Sequence, residues 1–348
     1  MSRQKWAGLV TLLLLLFYVL RSGGRDQEES RRLFLQEHRS TFSLWYREHI
    51  KPLMSHAPVR YLEGARKLRI AYRHFEVPNS QKVVMISPGF SEPAVKYSEV
   101  VANFIERGYG VVVFDHRGQG DSEKVLQSSD AGYVHSFQDY YEDAAAIFKM
   151  VQDWGIYKQI YGLGVSMGAA VLTGASMENM VSFERLVLAV PMLKIQLGMY
   201  PHSVAQAVAW AHVQLGLGDR YVWGKGPWSD QGFGWKKGGY VSREYQGKQW
   251  SREIPQYRVG GPSFQWLMEA LAATQYMRKN AELLKVQTLI LAAEQDAVVD
   301  PSVYPDFCGR ARACSLDVIG GSHHEILHQE DAIRHPVIAK IISFSSSD

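Results

Sequence analysis

The feature that most constrains this sequence is a repeated alternation between short, uninterrupted apolar runs and longer stretches with helical periodicity. Lys82 to Ser87 (Val83, Val84, Met85, Ile86) and Gly110 to Phe114 (Val111, Val112, Val113) have the composition of strands covered on both faces. Gln159 to Gly162, Arg185 to Val190, Val286 to Ala293 and Ser315 to Ile319 repeat the type. Helical patterns lie between them at Val95 to Arg107, Phe137 to Trp154, Met167 to Met177 and Gln329 to Phe344. Such alternation predicts an α/β fold, with a mostly parallel central sheet and helices on both faces. Lys67 to Phe75 alternates like an exposed strand ahead of it.

The rhythm stops between residues 191 and 284. Six of the nine tryptophans (Trp210, Trp223, Trp228, Trp235, Trp250 and Trp266) fall in that stretch, among many glycines. It reads as an inserted lid subdomain over a site, with part of its aromatics forming a core of their own. The core is then 67–190 plus 285–348, and 348 residues suit one large core with such an insertion. Residues 26–66 form a helical lead-in, in which Leu33, Phe34, Phe42, Leu44 and Trp45 are spaced like one face that packs on the body.

Residues 1–25 differ from the rest. Arg3 and Lys5 precede an uncharged, leucine-rich run from Ala7 to Leu20, closed by Arg21-Ser22-Gly23-Gly24-Arg25. A basic start and a short apolar run have the layout of an export signal. A cleaved signal peptide and an uncleaved membrane anchor both fit, since the run is shorter than the ~20 residues of an ordinary span. The anchor is preferred, because Arg21 sits where a good cleavage site would not want it. Either way the body is expected to be membrane-associated and outside the cytoplasm.

The formal charge of +3 comes from 38 Lys+Arg against 35 Asp+Glu with no basic concentration, so nucleic acid is not an expected partner. The two cysteines, Cys308 and Cys314, are read as unpaired, half-buried thiols, and no Cys-x-x-Cys metal set exists.

Gly164-Val165-Ser166-Met167-Gly168 follows one predicted strand and opens a predicted helix. A serine at so sharp a turn needs a strained backbone, and neighbours two positions away without bulk. The turn lifts the hydroxyl out of the sheet, and the helix N-terminus favours negative charge developing there. A nucleophilic serine also needs a base, and the base an orienting acid. Asp296 lies just past the strand ending at Ala293 and is the preferred acid, with Glu294 and Asp300 as fallbacks. His324 is preferred over His323 as base, on the loop after the last strand. Backbone N–H groups of Met167 and of Phe90, in Pro88-Gly89-Phe90-Ser91-Glu92-Pro93, are the expected oxyanion donors.

Rival readings are weaker. Gly162, Gly164 and Gly168 superficially match a dinucleotide-binding loop, but Glu184 precedes the next strand instead of ending it. His324-Glu325-Ile326-Leu327-His328 fits the H-E-x-x-H zinc signature, yet Gly320-Gly321 place His324 in a loop before the helix. No cofactor or metal is called for. A fold of this kind could also serve as a non-catalytic lipid binder, against which the complete set Ser166, Asp296, His324 argues.

These residues carry a family resemblance. Pro88 to Glu92 resembles the oxyanion loop of monoacylglycerol lipases, which more usually begins with histidine, and Asp115-His116-Arg117-Gly118-Gln119-Gly120-Asp121-Ser122 resembles a loop of the same family. Gly164 to Gly168 and Gly321-Ser322-His323-His324 complete the pattern. The chain is also similar to bacterial lysophospholipases of the α/β-hydrolase kind, through Val95-Lys96-Tyr97, Arg258 to Pro262 and His324 to Leu327, over roughly Leu53 to Phe344. The resemblance implies an α/β-hydrolase fold and a serine esterase. Its substrate would be a single-chain lipid, a lysophospholipid or a monoacylglycerol met at a membrane surface. Some relatives carry glutamate at the position of Asp296.

Overall fold

Strands form where alternate apolar residues can be buried on opposite faces of one sheet. In the computed structural model, which describes residues 40–229 and 242–346, β3 (Lys82–Ser87) sends Val83 and Met85 to one core and Val84 and Ile86 to another. The neighbouring β4 (Gly110–Phe114) divides likewise, Val112 and Phe114 against Val111 and Val113. A strand covered on both sides has no polar face to show, which is why these runs are continuous.

Eight strands make a single sheet in the order β1-β2-β4-β3-β5-β6-β7-β8. The others are β1 (Arg60–Glu63), β2 (Arg69–Phe75), β5 (Gln159–Val165), β6 (Arg185–Ala189), β7 (Gln287–Ala293) and β8 (Cys314–Ile319). Pairing is parallel from β4 through β8 and antiparallel for β1 with β2 and β2 with β4. The expected exposed strand at 67–75 is therefore an interior one: Ile70 and Ala71 are fully buried, because β1 takes the edge position beyond it. In register, Ser87 faces Gly164, Val165 faces Ala189 and Ala293 faces Ile319, so these strands end along one rim. Ligand sites in open α/β sheets form at that carboxyl edge.

The lead-in consists of α1 (Thr41–Trp45), a π-helical turn Tyr46–Ile50 and α2 (Lys51–His56). It packs on the body through Tyr46, Ile50 and Met54, whereas Leu44 and Trp45 are exposed. The face is set by Tyr46, whose hydroxyl bonds Ser98 Oγ and accepts from Trp250 Nε1. Leu33, Phe34 and the segment 1–25 lie outside the described residues.

One face of the sheet carries α3 (Ser98–Ile105) and α10 (Asp331–Ser346), the other α4 (Gln138–Asp153) and α5 (Met167–Met177). Between β6 and β7 the chain leaves the sheet for α6 (His202–Gln214), α7 (Ser242–Glu253) and α8 (Phe264–Lys279). Ala209, Phe264, Leu267 and Leu271 form a small core there. Trp250 and Trp266 are buried, Trp210 and Trp223 exposed, and Trp235 is outside the described residues.

The reading of the cysteines is corrected. Cys308, near the end of α9 (Tyr304–Arg310), and Cys314, which opens β8, form a disulfide, with Cα atoms 5.1 Å apart. The helix folds back onto the next strand over six residues, and this tertiary return brings the sulfurs together.

Candidate functional site

Ser166 lies between β5 and α5 with φ +52° and ψ −113°. A non-glycine residue in that region costs on the order of 1–3 kcal/mol and persists only where its surroundings hold it. Its N–H donates to the Ala189 carbonyl (2.9 Å), and its carbonyl accepts from Met192 N–H (3.0 Å). Space dictates the flanking glycines. A Cβ on Gly164 would come within 2.5 Å of the Ala169 backbone, and one on Gly168 within 2.1 Å of the Ser87 carbonyl oxygen. Val190, a β-branched residue at φ +44°, shows a second strained position just past β6.

The rim brings the sequence candidates together. His324 Nε2 is 3.0 Å from Ser166 Oγ, and His324 Nδ1 is 2.8 Å from Asp296 Oδ2. A carboxylate accepts, so Nδ1–H donates to Asp296 and Nε2 is free to accept from the serine hydroxyl. The Asp296 side chain is 1% exposed. Its other oxygen takes the N–H groups of Val298 (2.8 Å) and Val299 (3.0 Å), which fixes the carboxylate plane.

The alternatives have other tasks. Glu294 is exposed and accepts Gly321 N–H at 2.7 Å, steadying the histidine loop. Asp300 caps the turn at Ser302 and pairs with Lys194 at 2.7 Å. Burial alone would raise its carboxyl, but Lys194 and Ser302 pull it down to about 2. His323 is exposed, and its N–H donates to Gln329 Oε1. Residues 320–330 form no helix, so His324 and His328 share no helical face as zinc binding through H-E-x-x-H would require. Both His324 nitrogens are engaged, and His328 Nε2–H donates to the Lys96 carbonyl (3.3 Å).

Met167 directly follows Ser166, and Phe90 lies two residues past Pro88, whose carbonyl oxygen a Cβ on Gly168 would approach to 2.3 Å; neither N–H has a protein acceptor among the described residues. The Phe90 ring packs 4.6 Å from the Trp266 ring and over Gly132, where a Cβ would meet it at 2.2 Å. Loop 115–122 holds the segment behind Phe90. Asp115 Oδ1 accepts Ala94 N–H (2.6 Å), His116 Nε2–H donates to the Pro88 carbonyl (3.0 Å), and Gln119 takes Ser91 N–H while donating to the Gly89 carbonyl (3.2 Å). Burial, reinforced by Asp121, raises the Asp115 carboxyl to about 7, and burial lowers the His116 imidazole to about 4. Sequence reasoning recorded Asp115 to Ser122 only as a resemblance and missed this supporting role. Its signal was a run of polar residues directly after a wholly apolar strand.

A mostly parallel sheet with a serine turn after β5, a carboxylate after β7 and a histidine after β8 defines an α/β-hydrolase. The family model described as serine aminopeptidase, S33, matches residues 78–331, and the chain belongs to that family. Lysophospholipase L2 of Escherichia coli strain K12 is 30% identical over 289 residues, covering 81% of this chain and 85% of that protein. A probable lysophospholipase L2 of Haemophilus influenzae is 29% identical over 299 residues, covering 84% and 93%. Among solved structures, a monoacylglycerol lipase of Paleococcus ferrophilus superposes with TM-score 0.60 at 18% identity, covering 79% of this chain and 98% of that one. A soluble variant of monoglyceride lipase from Saccharomyces cerevisiae gives 0.64 at 15%, covering 83% and 95%. These two show the fold.

Proposed function

We propose that this ester hydrolase cleaves the acyl ester of a single-chain lipid, a lysophospholipid or monoacylglycerol, through an acyl-serine on Ser166. The observation that carries the reading is the unbroken hydrogen-bonded line from Asp296 through His324 to Ser166. As Oγ bonds to the ester carbonyl carbon, its proton passes to His324 Nε2, and Asp296 stabilises the resulting imidazolium. Phe90 and Met167 N–H groups receive the oxyanion, a contribution worth about 10²–10³ in rate per donor. The tetrahedral carbon then expels the glyceryl alkoxide, which takes the proton from His324. Water, deprotonated by His324, adds to the acyl carbon; the bond to Ser166 Oγ then breaks, Oγ takes the proton back from His324, and the fatty acid leaves.

Support for a lipid surface comes from the insertion, which exposes Met199, Tyr200, Val204, Trp210, Leu215 and Trp223 in and around α6. Its contacts suit a lid: Trp266 rests on Phe90, and Gln196 N–H donates to the Val298 carbonyl (2.9 Å) two residues past Asp296. We place the body outside the cytoplasm, tethered or exported by residues 1–25. The Cys308–Cys314 disulfide suits an oxidising compartment.

The test is fatty-acid release from lysophosphatidylethanolamine, lysophosphatidylcholine and monoacylglycerol of one chain length, with a diacyl phospholipid as control. Turnover of at least one single-chain lipid well above the diacyl control is expected. Equal or absent turnover across the panel overturns the substrate class.

A further inference from the structure

An ion cluster centred on buried Lys96, with Glu92 and Glu325 partly buried, takes no part in the steps above. Lys96 lies on the short 3₁₀ turn Ala94–Tyr97 that follows Phe90, and its side chain is 6% exposed. Its ammonium sits between the carboxylates of Glu92 and Glu325, the latter at 2.6 Å. Glu92 belongs to the loop of Phe90, where it also accepts Gly89 N–H (2.8 Å) and the Tyr97 hydroxyl. Glu325 directly follows His324 and faces His328 Nδ1 across 3.4 Å. The Lys96 stem passes Gly247 of α7, where a Cβ would come within 3.0 Å of it.

Stability alone does not account for this cluster. Burying the Lys96 ammonium costs several kcal/mol in lost solvation, and apolar side chains of similar volume often serve as well. Burial alone would lower the Lys96 ammonium and raise the Glu325 carboxyl. Mutual attraction reverses both, holding Lys96 above and Glu325 well below its usual range. What the charges add is direction. The bridge ties the peptide before Phe90 to the residue after His324, so the two sides of the serine share one spacer.

We propose that Lys96 and Glu325 are positioning residues, and that the Glu92–Lys96–Glu325 bridge fixes the Phe90 N–H and the His324 imidazole at one separation across Ser166. The inference rests on the reading of Ser166 as nucleophile, because displacing oxyanion donor and base together by fractions of an ångström affects only a reaction that uses both.

The full chain is tested as Glu325→Gln, Glu92→Gln and the double variant, on a soluble short-chain p-nitrophenyl ester. Turnover is normalised to sites titrated with a fluorophosphonate, with KM and the melting temperature read alongside. Each single variant should lose roughly 10- to 100-fold in kcat per titrated site with KM within about threefold. The double should lose little more than the worse single, since both act through Lys96. If one single variant does not fold, the kcat of the other carries the test. Wild-type kcat per site in a folded single variant, or losses that multiply in the double, overturns the bridge. Ser166→Ala is run in parallel: if it abolishes labelling while Glu325→Gln reacts at the wild-type rate, only the bridge is wrong, whereas turnover by Ser166→Ala removes the reading beneath it.

Discussion

Gly168 lies so close to Ser87 that a single added methyl would come within 2.1 Å of the Ser87 carbonyl oxygen, and within 2.3 Å of that of Pro88. Both obstacles are backbone, so relief must move either the end of β3, which leads to Phe90, or the first turn of α5, which carries Met167. Gly168→Ala should therefore cost stability by about 1–3 kcal/mol, as overpacked sites do. Turnover should fall at least 100-fold in the protein that still folds. Urea unfolding and esterase assays on one preparation check both, and near-normal turnover contradicts the close-approach account.

Asp296→Asn keeps the shape of the buried carboxylate but no longer enforces the Nδ1–H form of His324. A loss of about 10⁴ in kcat is expected by analogy with the corresponding change in a serine protease. Glu294→Gln, at an exposed carboxylate that accepts Gly321 N–H, should stay within about threefold. A steady-state comparison separates the two, and the reverse ranking would move the acid to Glu294.

His116 is fully buried, and its Nδ1 has no hydrogen-bond partner among the described residues. Its imidazole lies at about 4, below the ordinary 6.5, chiefly through burial. The folded state therefore binds fewer protons than the unfolded state between those values, and the stability linked to His116 is lost as pH falls from about 6.5 towards 4. Above pH 7 the group contributes no slope. His116→Gln retains a donor for Pro88 but does not titrate. The stability difference, wild type minus His116→Gln, should be flat above pH 7 and fall by about 1 kcal/mol per pH unit below 6.5. Buried Asp115, raised to about 7, titrates in both proteins and cancels to first order in that difference. Denaturant melts at pH 5 and 7.5 provide the check, and a pH-independent difference contradicts it.

Closing a loop of about six residues should stabilise the fold by roughly 2 kcal/mol on the chain-entropy account. Non-reduced protein should show no reactive thiol, and Cys308→Ser/Cys314→Ser should melt several degrees lower. An unchanged melting temperature contradicts a stabilising role.

The central sheet and its rim were legible because short, valine- and isoleucine-rich apolar runs alternating with helical patterns suit strands covered on both faces. Ser166 and Asp296 were legible because each follows such a run, whereas the expected covered strand ahead of His324 is the edge strand β8, with no buried residue and Val318 exposed. Sequence periodicity failed where a partner strand decides burial: β2 alternates like an edge, and only β1 beyond it makes Ile70 and Ala71 interior. It failed again for Cys308 and Cys314, whose pairing depends on how α9 returns to β8. Charged groups buried by pairing were the hardest to see. Lys96 meets Glu325 across 229 positions, so neither residue's neighbours in sequence announce the other.

The central claim is that Ser166 carries the acyl group. The most direct measurement is intact mass spectrometry of the protein quenched during turnover of a slow ester, with Ser166→Ala alongside. The account predicts a transient increase of one acyl group, mapped to the peptide containing Ser166, and neither adduct nor turnover in Ser166→Ala. Turnover retained by Ser166→Ala, or an adduct on another residue, contradicts it.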